Sequence, residues 1–178
     1  IITVQTGGNV SGALIANGGT LQLNENIDAT GILLSNSLVY GGTLELHSAI
    51  INNFVVSNGV TLSNYYGSAF GTILQPGAQF NVTGGVANST TISSGAELLV
   101  SADASTTTIL GTQILNGGSL ELLTSQYSLA NTNNSSGGTL IVGSGVILSD
   151  VNVSSGGAAL QISSGGSTTT NVLSLIHI

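Results

Sequence analysis

Residues 59–100 read GVTLSNYYGSAFGTILQPGAQFNVTGGVANSTTISSGAELLV, and this stretch decides the fold. It holds three copies of one pattern: GVTLSN from Gly59, GAQFNV from Gly77 and GAELLV from Gly95. Outward from it the pattern recurs as GGTLQL from Gly18, GGTLEL from Gly41, GGSLEL from Gly117, GGTLIV from Gly137 and GAALQI from Gly157, with a partial copy, GGNVSG, at Gly7. From Gly18 to Gly157 the first glycines are separated by 23, 18, 18, 18, 22, 20 and 20 residues. Self-similarity at a nearly fixed step of this size is the mark of stacked repeats.

Each copy alternates apolar and polar residues. Leu21 and Leu23, Leu44 and Leu46, Phe80 and Val82, Leu98 and Val100, Leu120 and Leu122, Leu140 and Val142, and Leu160 and Ile162 are the apolar pairs. A period of two describes a short strand with one buried face, leaving Gln22, Glu45, Asn81, Glu121 or Gln161 on the other. A second short strand is expected before each glycine turn, with Val39, Phe54, Val56, Ile73, Ile92, Ile114, Val151 and Val153 facing in. Glycine density and β-branched content disfavour helix, and no stripe of period 3.6 outlasts a turn. A unit of two or three short strands cannot close a core alone, so neighbours must stack and share one.

The expectation is an all-β parallel β-helix, or β-solenoid, of about eight to nine coils with 18–23 residues per coil, the leucines of one copy lying on those of the next. At roughly 4.8 Å per coil it would be a rod of about 40 Å. The glycines should supply positive φ at the turns, and Asn17, Asn58 and Asn116 are expected to share that left-handed geometry. Residues 1–173 form one repeat region. Residues 174–178, after Asn171, Val172 and Leu173, leave the pattern and look like translated adapter read-through, so the chain reads as a piece of a longer protein.

Composition narrows the function. The 178 residues contain no lysine or arginine and seven acidic residues, for a net charge of −7. Phosphate binding has no cationic side chain to rest on, so nucleic acid is not an expected partner. There is no cysteine, so neither disulfides nor thiolate metal sites arise. The longest apolar runs, such as Ile50 to Val56, are broken by Asn52 and Asn53 far short of the ~18 residues a membrane helix requires. Serine, threonine and asparagine take the place of charge on the outside.

The glycine turn, the leucine strand and threonine-rich segments such as NSTTI (Asn88 to Ile92) and STTTI (Ser105 to Ile109) resemble the passenger repeats of bacterial autotransporter adhesins of the AIDA and antigen 43 type. The resemblance covers Thr6 to about Val172. It implies a right-handed β-helix on the cell surface, exported through the outer membrane by a C-terminal β-barrel. It also implies adhesion to a host or bacterial surface or to identical passengers, and O-linked sugar on Ser and Thr. The alternatives are a polysaccharide-active hydrolase or lyase on the same scaffold, or a passive stalk.

The enzymatic alternative would rest on the carboxylates. A glycosidase pair sits roughly 5–9.5 Å apart. Glu45 and Glu121 share a phase but lie four coils apart, about 19 Å. Glu97 and Glu121 fall on adjacent coils, offset by two residues, with no basic residue in phase beside them. They read as solvated outer-face charges. Glu25 and Asp28 could approach a cation, but the calcium-roll pattern of an aspartate after each glycine pair is missing. His47 and His177 read as lone histidines. No catalytic, cofactor-binding or metal site is therefore expected. Tyr65, Tyr66 and Phe70, beside an Asn64 that stands where an apolar residue is usual, read as the filling of a bulged, wider core, with an aromatic platform for a sugar or partner as the alternative. The Asn-x-Ser/Thr triplets at Asn9, Asn81, Asn88, Asn133, Asn134 and Asn152 are the chance product of a chain rich in these residues.

Overall fold

The computed structural model describes residues 1–5, 14–24, 28–30, 38–39, 41–101, 107–123, 128–154, 156, 159–163 and 167–173. The Gly7 copy, Glu25, His177 and residues 174–178 lie outside them. All strand pairings are parallel. The protein is an all-β parallel β-solenoid whose continuous body makes about six turns. These coils begin at Thr43, Thr61, Gln79, Glu97, Ser119 and Thr139. The body falls short of the expected eight to nine coils because the end copies are described only in part. Ile2–Val4, Thr20–Asn24 and Ala159–Ile162 continue the first sheet on either side.

Each coil has three strands. The first is the leucine strand of the repeat, and its register is the expected one: Leu21, Leu44, Leu62, Phe80, Leu98, Leu120, Leu140 and Leu160 stack in sequence. Leu44 through Leu140 in this column are wholly buried, and each such side chain removed from water contributes about 1.5–3 kcal/mol. The second strand, which the repeat pattern does not announce, turns Ile51, Ala69, Ala87, Ile109, Leu129 and Leu148 inward in register. The third brings in Val56, Leu74, Ile92, Ile114, Asn134 and Val153. Here the expectation for Ile73 is corrected: Ile73 is 42% exposed and Leu74 is buried, because two successive apolar residues leave the phase of a two-residue strand open.

Two of the coil's three corners repeat a residue at positive φ from copy to copy. Before the first strand, four-residue turns are closed by N–H to O=C bonds such as Val60 to Ser57 (3.1 Å), Ala78 to Gln75 (2.9 Å) and Ala96 to Ser93 (3.0 Å). Their third residues, Gly59, Gly77 and Gly95, have φ of 72°, 77° and 71°, the type II geometry, and the chain's one proline, Pro76, sits second, where its fixed φ fits. Asn17, Asn58 and Asn116 occupy that same second position and are not among the residues with positive φ. The glycine beside each carries it instead, which corrects the expectation for these asparagines.

Four of the six left-handed residues with side chains stand at the corner between the second and third strands; Ser48, at φ 61°, lies between the first and second. Asn53, Gly71, Ser89, Gly111, Asn131 and Asp150 follow one another coil by coil with φ of 53°, 62°, 58°, 62°, 53° and 52°. The backbone ladder runs straight through them: Asn53 donates to Phe70 O (2.7 Å), Gly71 to Asn88 O (2.9 Å) and Ser89 to Leu110 O (2.8 Å). Immediately inside this corner Thr72, Thr90, Thr112 and Thr132 point into the core, buried, with hydroxyls that lack a hydrogen-bond partner.

Candidate functional site

The outer face of the first sheet carries a connected polar ladder. Register sets Thr3 beside Gln22, and Gln22 beside Glu45. Thr3 Oγ1 donates to Gln22 Oε1 (3.2 Å), and Gln22 Nε2 donates to Glu45 Oε2 (2.6 Å). Two residues along the same strand, on the same face, His47 Nε2 lies 3.3 Å from Glu45 Oε2. The imidazole stacks on the Tyr65 ring of the next coil, with centroids 4.8 Å apart and planes 16° apart. His47 is thus not the lone residue its place in the sequence suggested. Reading the copies against one another puts residue 47 opposite residue 65, and that was the available signal.

The aromatic cluster is also corrected. Its rings do not fill the core. Tyr65 is partly exposed, Tyr66 is 63% exposed and Phe70 faces outward from the second strand. The inward positions of this coil belong to Leu62, Asn64 and Ala69. Asn64, in register with Leu46 and Val82, is fully buried and works as a backbone clamp. Its Nδ2 donates to Gly67 O and Val86 O, each at 3.1 Å, and its Oδ1 accepts from Gly67 N at 2.6 Å. The expected bulge is present, as register shifts between Val82 and Gly84 and between Gly84 and Val86. It turns Tyr66 outward at φ 110°. A Cβ on Gly84 would fall 2.7 Å from Tyr66 Cδ1, so the ring lies over a glycine.

The other candidates stay apart. Glu45 and Glu121 occupy one outward column with Ser63, Asn81 and Leu99 between them. Glu121 pairs with Leu99 and Glu97 with Ser119, so these two glutamates are diagonal neighbours on adjacent coils. Asp28 pairs with Ile50 in the second sheet. Among the described residues no three histidine, cysteine or acidic side chains come together to hold a metal, and no helix is long and apolar enough to cross a membrane.

No family model matches the chain, and no curated protein matches it. Among solved structures it is similar to the crystal structure of a TibA fragment hyper-glycosylated by TibC. The TM-score is 0.59 and the identity 22%, over 94% of this chain and 73% of that one. At that identity the likeness speaks for the fold: both chains are wound the same way.

Proposed function

We infer that the chain is a non-enzymatic adhesin passenger segment of an autotransporter, displayed on the bacterial surface as an extended rod. It holds to another surface, or to an identical rod, along its length. The observation that carries this reading is the parallel stacking of copies whose outer faces are rich in hydroxyls and amides, with some apolar and acidic residues and no lysine or arginine. Such a surface offers contact by hydrogen bonding and van der Waals packing rather than by a single pocket. The sequence likeness to AIDA-type passenger repeats and the shared fold with the TibA fragment support it. The exposed hydroxyls of Ser48, Ser89, Ser136 and Ser144 are acceptors for O-linked sugar, as hyper-glycosylation of that fragment suggests.

Beads coated with the full chain test this reading. They are expected to clump or to bind bacterial or epithelial cells, and to do so in moderate salt, because cation-mediated ion pairs have no part in the contact. Beads that stay dispersed and unattached, or that release in salt, would contradict it.

A further inference from the structure

We propose that the strip made by His47, Tyr65 and Tyr66 on the outside of the coils that begin at Thr43, Thr61 and Gln79 binds a neutral saccharide, with Tyr66 as the stacking ring and Glu45 and Gln22 as partners for its hydroxyls. The proposal rests on the adhesive reading and names the class of ligand for it.

Three observations carry it. Tyr66 holds a backbone conformation that bulky side chains avoid, φ 110°, while 63% of its surface is exposed. The ring itself is not needed to fill the core, since the inward positions of its coil are filled by other residues. Strain of this kind persists only where the surroundings impose it, and here the Asn64 clamp on Gly67 and the close approach of Gly85 impose it. Second, the ring is seated on Gly84, where a side chain would collide with it, so two adjacent coils are adapted to carry one outward ring. Third, the residue before it in the chain, Tyr65, ends a line of polar groups. Tyr65 stacks on His47, His47 meets Glu45, and Glu45 accepts from Gln22. Both contacts fall on Glu45 Oε2, so Oε1 keeps its capacity to accept from a ligand hydroxyl.

The chemistry of this strip selects a sugar. An aromatic face is electron-rich and attracts the slightly positive C–H face of a pyranose, while carboxylate and amide answer the hydroxyls at its rim. From Gln22 to the Tyr66 ring over Gly84 the strip crosses four coils, about 14 Å along the axis, enough for a disaccharide. An acidic sugar would meet Glu45 with no lysine or arginine anywhere in the chain to offset it. A quaternary ammonium ion needs ring faces gathered around it, but one face of Tyr65 is taken by His47.

The test titrates the full chain with lactose, maltose and N,N′-diacetylchitobiose, with choline and glucuronic acid alongside, following the Tyr and His ring signals by NMR and the heat by calorimetry. At least one neutral disaccharide is expected to shift the Tyr65, Tyr66 and His47 signals saturably. Tyr66→Gly is expected to weaken that binding by about tenfold or more while melting at the same or a higher temperature, because glycine accepts φ 110°; a merely structural tyrosine would lower the melting temperature. Glu45→Gln is expected to weaken binding less. No response to any of the disaccharides, a response to choline or glucuronic acid alone, or undiminished binding by Tyr66→Gly would each overturn the site. Beads that clump although no sugar binds would overturn this site and leave the adhesive rod standing; sugar binding by a chain whose beads neither clump nor attach would do the reverse.

Discussion

The two corners of the coil solve the same problem by different means. Both bend the chain from one face of the coil to the next with a residue at positive φ. Before the first strand that residue is glycine at Gly18, Gly41, Gly59, Gly77, Gly95, Gly117 and Gly137; before the third it is Asn, Gly, Ser, Gly, Asn and then Asp. At the glycine corner the backbones touch along the axis: Gly59 donates to Gly77 O, Gly77 to Gly95 O, Gly95 to Gly117 O and Gly117 to Gly137 O, at 2.8–3.1 Å. A Cβ at Gly77 or Gly137 would also meet the asparagine of the preceding coil, Asn58 or Asn116, whereas at Gly18, Gly59 and Gly95 nothing lies closer than 3.7 Å, so what this corner asks for throughout is the backbone angle. At the other corner Asn53, Ser89, Asn131 and Asp150 are exposed. Their short polar side chains, which tolerate the left-handed region, stand in water. Glycine alone holds the first corner, at φ 65–78°, while the second, at 52–62°, also takes Asn, Ser and Asp.

The largest expected effect comes from violating the stricter corner. Gly77→Val places a β-branched residue at φ 77° and against Asn58, and should destabilise the chain by about 2–3 kcal/mol in denaturant unfolding. A loss no greater than that of an exposed-strand substitution would remove the distinction between the corners. A smaller effect of opposite sign is expected just inside the tolerant corner. Thr90 is buried with its hydroxyl unpartnered, so Thr90→Val should stabilise by about 1–2 kcal/mol. A fall in the melting temperature of that variant would reveal a partner for the hydroxyl. The smallest effect is Gly111→Asn. The next coil carries asparagine at this corner, Asn131, and a Cβ at Gly111 lies 3.4 Å from Ser89 Oγ of the coil before, so the change should stay within about 0.5 kcal/mol. A loss as large as that of Gly77→Val would show that the two corners are equally closed.

The same contrast explains what could be read from the sequence. Where geometry admits one residue type, the repeat is visible: the glycine turn, and the first strand with its column of Leu44, Leu62, Phe80 and Leu98. The tolerant corner leaves no common letter, so nothing in the repeat marks the second strand, and an asparagine beside a glycine points to the wrong turn. Ala69 and Ala87 stack with Ile51 and Ile109 in the second sheet, and such variation in size hides a shared column. Ile73 and Leu74 could not be phased without knowing that the left-handed Gly71 precedes them. At the candidate site, Glu45 and His47 were legible as neighbours on one strand face. Their tie to Tyr65 required the register between coils, and the outward ring of Tyr66 required the bulge opposite Gly84.

Everything rests on successive copies lying one coil apart in register. The chain has no native cysteine, so engineered pairs report on this without background. Gln79 and Glu97 are register partners on adjacent coils, and Thr61 is the partner of Gln79 one coil further on. A Gln79→Cys/Glu97→Cys chain is expected to oxidise nearly completely to an intramolecular disulfide. A Thr61→Cys/Glu97→Cys chain, with its thiols two rungs or about 10 Å apart, is expected to stay reduced as a monomer. Equal oxidation of both pairs, or of neither, would contradict the stacked solenoid.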